Sequence, residues 1–468
     1  TRLGQRYTLT AEVLDPATGE MLASEIVHAD SREKVLDALD ELTRRIRRHL
    51  GEAMAAISRR SRPLKHVTTA SLEALKYYSV ADEHLRRAEY EEARRFLESA
   101  LKVDSSFTAA KAVLGRMHFE LSEYVEGFDR EVGKRLLAEA VKDVDNLTDQ
   151  EKYGILAWYA QAVENDLPRA IQYTKELATL YPDQSHVHNN LAFLYGQMGR
   201  YQEAIRECQT AIRLDPYLMI AYNNLSNIYM FQLGSEIDSA RVWCLRQIAH
   251  NPEHFWAYYH LGWAYLGMDS LKQAQQALEK AYELHNRWKI LPRFTWHLSR
   301  LGVVYLLQGD YRRSIDFFLK IVEVNPSEPA GYYFAGVAAE VSGDTLSARQ
   351  YFRQFVREMR QLLRRGPVGP EQQIYLALGL IRIGEREQGW KLCQQACARD
   401  TTLHFEKARV LAVYGKPQEA IDELEAAVRH GYRNYVWMKI HPDFLSLHRE
   451  PRFIALVNRL LKRGQDAS

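Results

Sequence analysis

A repeated pattern constrains the fold of this chain more than any other feature. Leu191, Ala192 and Tyr195 begin one copy, and the similar triplet that starts at Leu225 follows 34 residues later. Further copies begin at Leu261, Leu301 and Ala335. Small residues recur at matching distances inside the copies, so the pattern is more specific than a chance series of amphipathic helices. The chain is therefore expected to consist of one structural unit written many times.

Each copy predicts two helices joined by a tight turn. Glycines such as Gly199 and Gly309 stand where the first helix should end in left-handed backbone. Prolines stand where the second helix should stop, at Pro216, Pro252 and Pro326. A single helical hairpin cannot bury its own apolar face, whereas a stack of hairpins can. In the copy that begins at Leu225, two extra residues are expected to lie in the turn.

The pattern resembles the tetratricopeptide repeat family. The 34-residue step, the Leu-Gly-x-x-Tyr box, the central Gly-x-Tyr-x-x-Ala and the closing proline are that family's signature. The resemblance covers about residues 74–430, or roughly ten copies of two helices each. It implies an all-α fold, a right-handed superhelical solenoid with a long concave surface. Residues 67–430 are accordingly predicted to form the solenoid.

The two ends of the chain differ from the repeats. Residues 7–28 alternate apolar and polar residues around an Asp-Pro-x-x-Gly turn, which predicts a β-hairpin. A helix beginning near Asp30 is expected to follow it. Residues 1–66 are interpreted as the end of an α/β domain that starts upstream, and residues 431–468 as capping helices. The arginine-rich stretch from Arg44 to Lys65 is more simply a solvated face than a phosphate- or lipid-binding patch.

The concave surface is the predicted site. In the family that the chain resembles, this surface is lined by the second, fifth, sixth, ninth, twelfth and thirteenth residues of each unit. The mapping predicts a peptide-binding set consisting of Asn189, Asn190, Phe193, Asn223, Asn224, Asn227, Tyr259, Trp263 and Trp296, and it also reaches Met230, Phe231 and His260. Asparagine can pair with an extended backbone, and Trp and Tyr can act as apolar anchors. The alternative is that these residues pack between hairpins or form local hydrogen bonds.

Two further resemblances bear on the partner. Asp15–Glu20, Leu39–Glu52 and Thr68–Leu75 look like the segments that lead into repeat regions C-terminal to bacterial serine/threonine kinase, transcriptional-regulator and cyclase domains. This implies a sensor or interaction module of a signalling protein. Family members that bind chaperone tails use a Lys/Arg clamp. Here Asn189 replaces the first clamp lysine and Phe193 replaces a clamp asparagine, so that ligand is not expected.

The function predicted is a non-catalytic scaffold that binds a protein or peptide segment, without a cofactor or metal. The chain lacks the HExxH, GxSxG and GxGxxG motifs, and the phosphate-loop imitation around Lys134 has the wrong spacing and lacks the Ser/Thr that holds magnesium. The alternatives are a cryptic nucleotide- or metal-dependent enzyme, or a self-assembling solenoid.

A net charge of +2 does not favour nucleic acid as a partner. The sequence contains no run of 18 apolar residues, so no membrane-spanning helix is predicted. A homo-oligomer is compatible with the sequence. The compartment stays open: the cytoplasm, or the periplasm if an upstream membrane segment tethers the chain. The four cysteines are interpreted as small buried side chains.

Overall fold

The computed structural model describes residues 2–3, 6–14, 19–49, 69–86, 89–122, 125, 127–288, 294–364 and 369–462. The chain divides into two compact units, residues 1–187 and residues 188–468. The predicted boundary at residues 66 and 67 lies outside the described residues, as do Arg59, Arg60, Arg62 and Lys65 of the arginine-rich stretch.

The first unit begins with a small antiparallel sheet in the order β1-β2-β3. The strands are β1 (Arg2–Leu3), β2 (Arg6–Leu14) and β3 (Met21–Ala29), and helix α1 (Val35–His49) follows. Tyr7 pairs with Ala29 and Leu14 with Met21, so the predicted hairpin and helix are confirmed. Because side chains alternate across a strand, one face of the sheet carries Leu9 and Val27 and packs against the apolar side of α1.

Three helical hairpins complete the first unit. They are α2 (Leu72–Arg86) with α3 (Tyr90–Val103), α4 (Thr108–Leu121) with α5 (Arg130–Ala140), and α6 (Asp149–Tyr159) with α7 (Leu167–Leu180). Gly133 shows why small residues recur. A Cβ atom on this residue would lie 2.6 Å from the carbonyl oxygen of Gly115, so the crossing of α4 and α5 requires glycine.

The second unit contains seven consecutive hairpins. They pair α8 (Ser185–Gln197) with α9 (Tyr201–Leu214), α10 (Met219–Asn227) with α11 (Ile237–His250), α12 (Phe255–Gly267) with α13 (Leu271–Trp288), α14 (Trp296–Leu307) with α15 (Tyr311–Val324), α16 (Ala330–Ser342) with α17 (Thr345–Arg364), α18 (Pro370–Arg382) with α19 (Arg386–Arg399), and α20 (His404–Tyr414) with α21 (Pro417–Arg429). The boundary between the units falls in the first turn of α8. The predicted all-α fold of stacked hairpins, about ten in the described residues, is confirmed.

The glycines and prolines at the ends of the repeat helices have the predicted roles. Gly199 and Gly309 have positive φ angles of 71° and 80° immediately after the first helices of their hairpins. Pro216 and Pro326 follow the ends of α9 and α15. One detail of the prediction was wrong. The two extra residues of the copy that begins at Leu225 do not lengthen a turn, because α10 continues as a π-helix over Ile228–Leu233.

The chain ends with α22 (Tyr435–Ile440), a 3₁₀ helix (Pro442–Arg449) and α23 (Pro451–Lys462). His441 caps the 3₁₀ helix, since its Nδ1 accepts a hydrogen bond from the backbone N–H of Asp443 at 3.1 Å. Phe453, Leu456 and Leu460 of α23 join the apolar core that α20 and α21 form. These elements therefore cover the last hairpin of the second unit.

Candidate functional site

The first helices of the seven hairpins in the second unit carry the predicted binding residues, and their common surface is called the A-helix face here. The asparagines of α8 and α10 are partly used inside the protein. Asn224 Nδ2 donates to Asn189 Oδ1 at 2.9 Å, and Asn223 Oδ1 accepts from Gln247 Nε2 at 2.8 Å. Asn189 is buried, while Asn190, Asn223 and Asn224 are half-buried. Three of the five predicted asparagines are thus used inside the protein, as in the alternative of packing between hairpins, because one bond joins neighbouring hairpins and the other joins the two helices of one hairpin.

Other predicted residues remain exposed. Phe193 is 45% exposed on α8 and Trp296 is 50% exposed on α14. Asn227 is also exposed. Two apolar residues that the prediction omitted, Ile220 and Trp256, lie at the same repeat position as Trp296, and Ile220 is 49% exposed. These five residues, Phe193, Ile220, Asn227, Trp256 and Trp296, are called the open strip.

The middle of the A-helix face is covered. Trp263 is 0% exposed and Tyr259 is 2% exposed, although both were predicted as anchors for a bound peptide. The indole of Trp263 lies 6.1 Å from that of Trp437, measured between ring centroids. Trp437 belongs to residues 432–449, called the C-terminal segment here. Two predicted anchors therefore contact this chain's own C-terminal segment or its neighbours instead of solvent.

The C-terminal segment is held at one end by α12 and the turn after it. Lys439 Nζ forms an ion pair with Asp269 at 2.6 Å and donates to the carbonyl oxygen of Gly267 at 3.3 Å. Gly234, at the end of the π-helix, allows close approach, because a Cβ atom there would lie 2.2 Å from the carbonyl oxygen of Arg433. Val436 and Ile440 are buried in the main core of the unit.

A buried carboxylate holds the other end. Asp443 accepts hydrogen bonds from the Tyr333 hydroxyl of α16 and from Arg409 Nε of α20 at 2.9 Å. Arg382 Nη2 of α18 lies 3.5 Å from the same carboxylate. Burial raises the pKa of Asp443, but Arg409, His441 and Arg382 outweigh burial and hold that pKa below its usual value. Asp443 is therefore charged at neutral pH and connects three hairpins.

Sequence reasoning missed the residues that control this face, namely Trp437, Asp443 and Arg300. Arg300 could have been found, because it is the sixth residue of its unit, a position that the mapping uses elsewhere. Trp437 and Asp443 lie outside the repeats. Lys439 is 172 residues away from its partner Gly267, and no local pattern indicates such a contact.

The phosphate-loop imitation around Lys134 consists of residues with structural roles. Lys134 lies on α5 and pairs with Glu131 at 2.7 Å, and Gly133 makes the close crossing with α4 described above. No group of three or more His, Cys, Asp or Glu side chains that could hold a metal occurs among the described residues. Cys208, Cys244 and Cys393 are buried, and Cys397 is half-buried.

The basic part of α1 is paired within the first unit. Arg45 lies beside Glu41 and Glu25, and His49 lies 2.7 Å from Glu25. A solvated helix face describes these residues better than a ligand patch. In the described part of the chain, each helix is too short or too polar to cross a bilayer.

Comparison with known families agrees with the repeat geometry. Residues 186–218, 257–286 and 299–370 each match a model described as tetratricopeptide repeat. All three matches fall mainly in the second unit, where the A-helix face lies.

Three known proteins illustrate the similarity. TPR repeat-containing protein YpiA of Bacillus subtilis is 22% identical over 326 residues, which cover 64% of this chain and 74% of that protein. BBSome complex member BBS4 of Bos taurus is 24% identical over 291 residues, which cover 61% of this chain and 52% of that protein. A solved tetratricopeptide repeat protein from Parabacteroides merdae has 15% identity and a TM-score of 0.41, and the alignment covers 67% of this chain and 98% of that chain.

Proposed function

Since the chain is a tetratricopeptide repeat protein, we propose that it is a non-catalytic scaffold that binds an extended segment of a partner protein along the open strip. The observation that carries this proposal is the exposure of large apolar side chains on the first helices of several hairpins. Phe193, Ile220 and Trp296 are each 45% to 50% exposed on three different A helices. Exposed apolar residues in a row are typical of an interaction surface.

The chemistry of the open strip suits a peptide chain. Trp256 and Trp296 both contact the ring of Phe294, with centroid distances of 5.0 Å and 5.4 Å. This packing restricts the motion of the two indoles, and rigid aromatic anchors often dominate binding energy. Asn227, exposed on α10, supplies a donor and an acceptor that can pair with a peptide backbone irrespective of its side chains.

The C-terminal segment limits where such a partner can bind. It occupies the A-helix face from Trp263 to Arg409 and buries apolar residues that include Val436, Phe444 and Leu447. Each fully buried side chain of this kind stabilises the folded state by about 1.5–3 kcal/mol. A weakly binding peptide could not displace several of them at once. The proposed ligand therefore contacts α8, α10 and the first turns of α12 and α14.

The test is a selection from a random peptide library with the purified chain, followed by affinity measurements on the selected peptides. Replacing both Phe193 and Trp296 by alanine (the strip variant) should weaken binding by at least about 30-fold, because each anchor residue contributes about 1–3 kcal/mol at an interface and about 2 kcal/mol corresponds to about 30-fold. Both side chains are about half exposed, so the thermal unfolding midpoint should change little.

The matched control is Leu346→Ala. Leu346 is 70% exposed but lies on α17, the second helix of its hairpin, away from the A-helix face. This change should leave affinity unaltered. Equal losses of affinity for Leu346→Ala and for the strip variant, or failure of the library to yield any binder, would overturn the proposed function.

We also propose that the scaffold is the regulatory part of a bacterial signalling protein. This rests on the resemblance of Asp15–Glu20, Leu39–Glu52 and Thr68–Leu75 to segments found beside kinase, cyclase and regulator domains. The test is to express the complete natural reading frame and to assay kinase and cyclase activity with and without a selected strip-binding peptide. A change in activity on adding the peptide is expected, and its absence would contradict the regulatory role.

A further inference from the structure

Arg300 lies on α14 in an unusual setting. Its guanidinium carbon is 4.1 Å from the ring centroid of Trp263 and 4.1 Å from that of Trp437, so the group is placed between two indoles. Nη1 donates to Ser299 Oγ at 3.3 Å, and the Tyr259 hydroxyl is a second neutral partner. The buried Nε has no hydrogen-bond partner within the described residues.

The charge of Arg300 is not paired within the part of the chain that the structure describes. Glu328 is the nearby carboxylate that favours the charged form of Arg300, but its Oε2 binds the Thr295 hydroxyl at 2.6 Å and forms no ion pair with the arginine. Burial lowers the pKa of Arg300. Aromatic faces compensate a cation only partly, so a neighbouring anion would stabilise this site further.

Two other arginines on the A-helix face have a carboxylate partner. Arg382 and Arg409, on α18 and α20, share the carboxylate of Asp443, which the C-terminal segment supplies. The C-terminal segment gives Arg300 only the indole of Trp437. Two arginines of the face thus have a carboxylate partner within the chain, and the third borders the open strip without a carboxylate of its own among the described residues.

Arg300 is also well placed for a bound chain. The residue is half-buried as a whole, but its Nε is buried, so a ligand carboxylate has to reach the terminal Nη atoms of the guanidinium. Trp296, a member of the open strip, precedes it by four residues and hence lies on the same side of α14. A ligand that contacts Trp296 would pass one helical turn from the guanidinium.

We propose that Arg300 binds the side-chain carboxylate of an Asp or Glu in the partner segment, next to an apolar residue that packs on Trp296. The inference deepens the proposed function, because it names the chemistry of the ligand at that strip. The planar guanidinium matches a carboxylate through two parallel N–H donors. A phosphate group carries a charge of about −1.5 to −2 and is matched better by a cluster of cations than by Arg300 alone.

The test selects random peptides that bind the purified 468-residue chain, with the randomised residues inside a longer sequence so that no terminal carboxylate lies next to them. We expect Asp or Glu to be enriched two to five residues from an apolar position. The best peptide is then synthesised with its acid and with the matching amide, Asp→Asn or Glu→Gln. The amide should bind about tenfold more weakly or worse, as charge-assisted hydrogen bonds are the strong class.

Variants of the protein complete a double-mutant cycle. Arg300→Gln should cause a similar loss for the acidic peptide and little further loss for the amide peptide. Arg312→Gln is the matched control, because Arg312 is exposed on α15 and its removal lowers the net charge equally. If Arg300→Gln fails to fold, the acid and amide peptides still test the carboxylate on the native chain, and raising the salt concentration should weaken only the acidic peptide.

The outcomes separate the two proposals. Binders that show no acidic preference, or that bind Arg300→Gln as tightly as the native chain, would overturn the role of Arg300 and leave the open strip intact. A library that yields no binder would remove both the inference and the proposed function.

Discussion

Asp443 contacts side chains from three hairpins of the second unit. Replacing it by asparagine keeps the shape but removes the charge that Arg409 and Arg382 share. Breaking a buried ion pair on one side costs about 3–5 kcal/mol, so Asp443→Asn should lower the free energy of unfolding by about that amount in urea titrations. Glu419→Gln is the control, since its pair with Lys416 is exposed and should be worth only about 0–1 kcal/mol. A loss for Asp443→Asn as small as the control would show that the carboxylate does not hold the segment.

Gly302 tests the packing rule of the repeat at the same scale. A Cβ atom on Gly302 would lie 2.5 Å from the ring of Phe318, so Gly302→Ala should destabilise the second unit by about 1–3 kcal/mol through overpacking. A Cβ atom on Gly196 would meet no atom within 4 Å, and Gly196→Ala in α8 should be neutral or slightly stabilising. Chemical denaturation of the two variants compares them directly. Equal stability would contradict the tight helix contact.

At the scale of elements, α22 behaves as part of the core rather than as an appended helix. Trp437 stacks on Arg300 and lies 6.4 Å from the ring of Phe334, although it is only half-buried. Trp437→Ala should therefore cost about 2–3 kcal/mol, somewhat less than a fully buried tryptophan. It should also speed hydrogen exchange in α22. The matched control, Trp296→Ala, removes a tryptophan that is 50% exposed and should cost less than about 1 kcal/mol. Identical effects of the two changes would contradict the difference in packing.

For the molecule as a whole, the second unit should lose stability in mild acid. Burial lowers the pKa of His254 to about 4, of His260 to about 3 and of His297 to about 2. Their unfolded pKa is about 6.5, so below that pH the unfolded chain binds protons that the folded chain does not. Each histidine should then reduce stability by about 1.4 kcal/mol per pH unit, down to its folded pKa. Unfolding midpoints at pH 7 and pH 5 check this. His260→Gln should make the decrease shallower, and a midpoint that does not change with pH would contradict the burial of these rings.

Structure that depends on contacts between residues close in the chain could be predicted from the sequence, and structure that depends on distant segments could not. Helix pairing, the turn glycines and the N-terminal hairpin depend on residues close in the chain, and local periodicity reports such contacts. The burial of Trp263 depends on Trp437, which no repeat position predicts. A tryptophan at a position that normally lines a groove looks the same in sequence whether solvent or another segment covers it. The exposed residues Phe193 and Trp296 kept the positions expected of a surface, because no part of the described chain covers them fully.

The most direct test of the whole account is a zero-length cross-link between the C-terminal segment and α12. A carbodiimide joins an amine to a carboxylate only when the two groups touch, and Lys439 Nζ lies 2.6 Å from Asp269. Mass spectrometry of the monomeric band should find the Lys439–Asp269 amide as readily as the Lys407–Glu423 amide, whose atoms are 2.7 Å apart between α20 and α21. Recovery of the Lys407–Glu423 product without any Lys439–Asp269 product would contradict the covered A-helix face, and with it the restriction of the partner to the open strip.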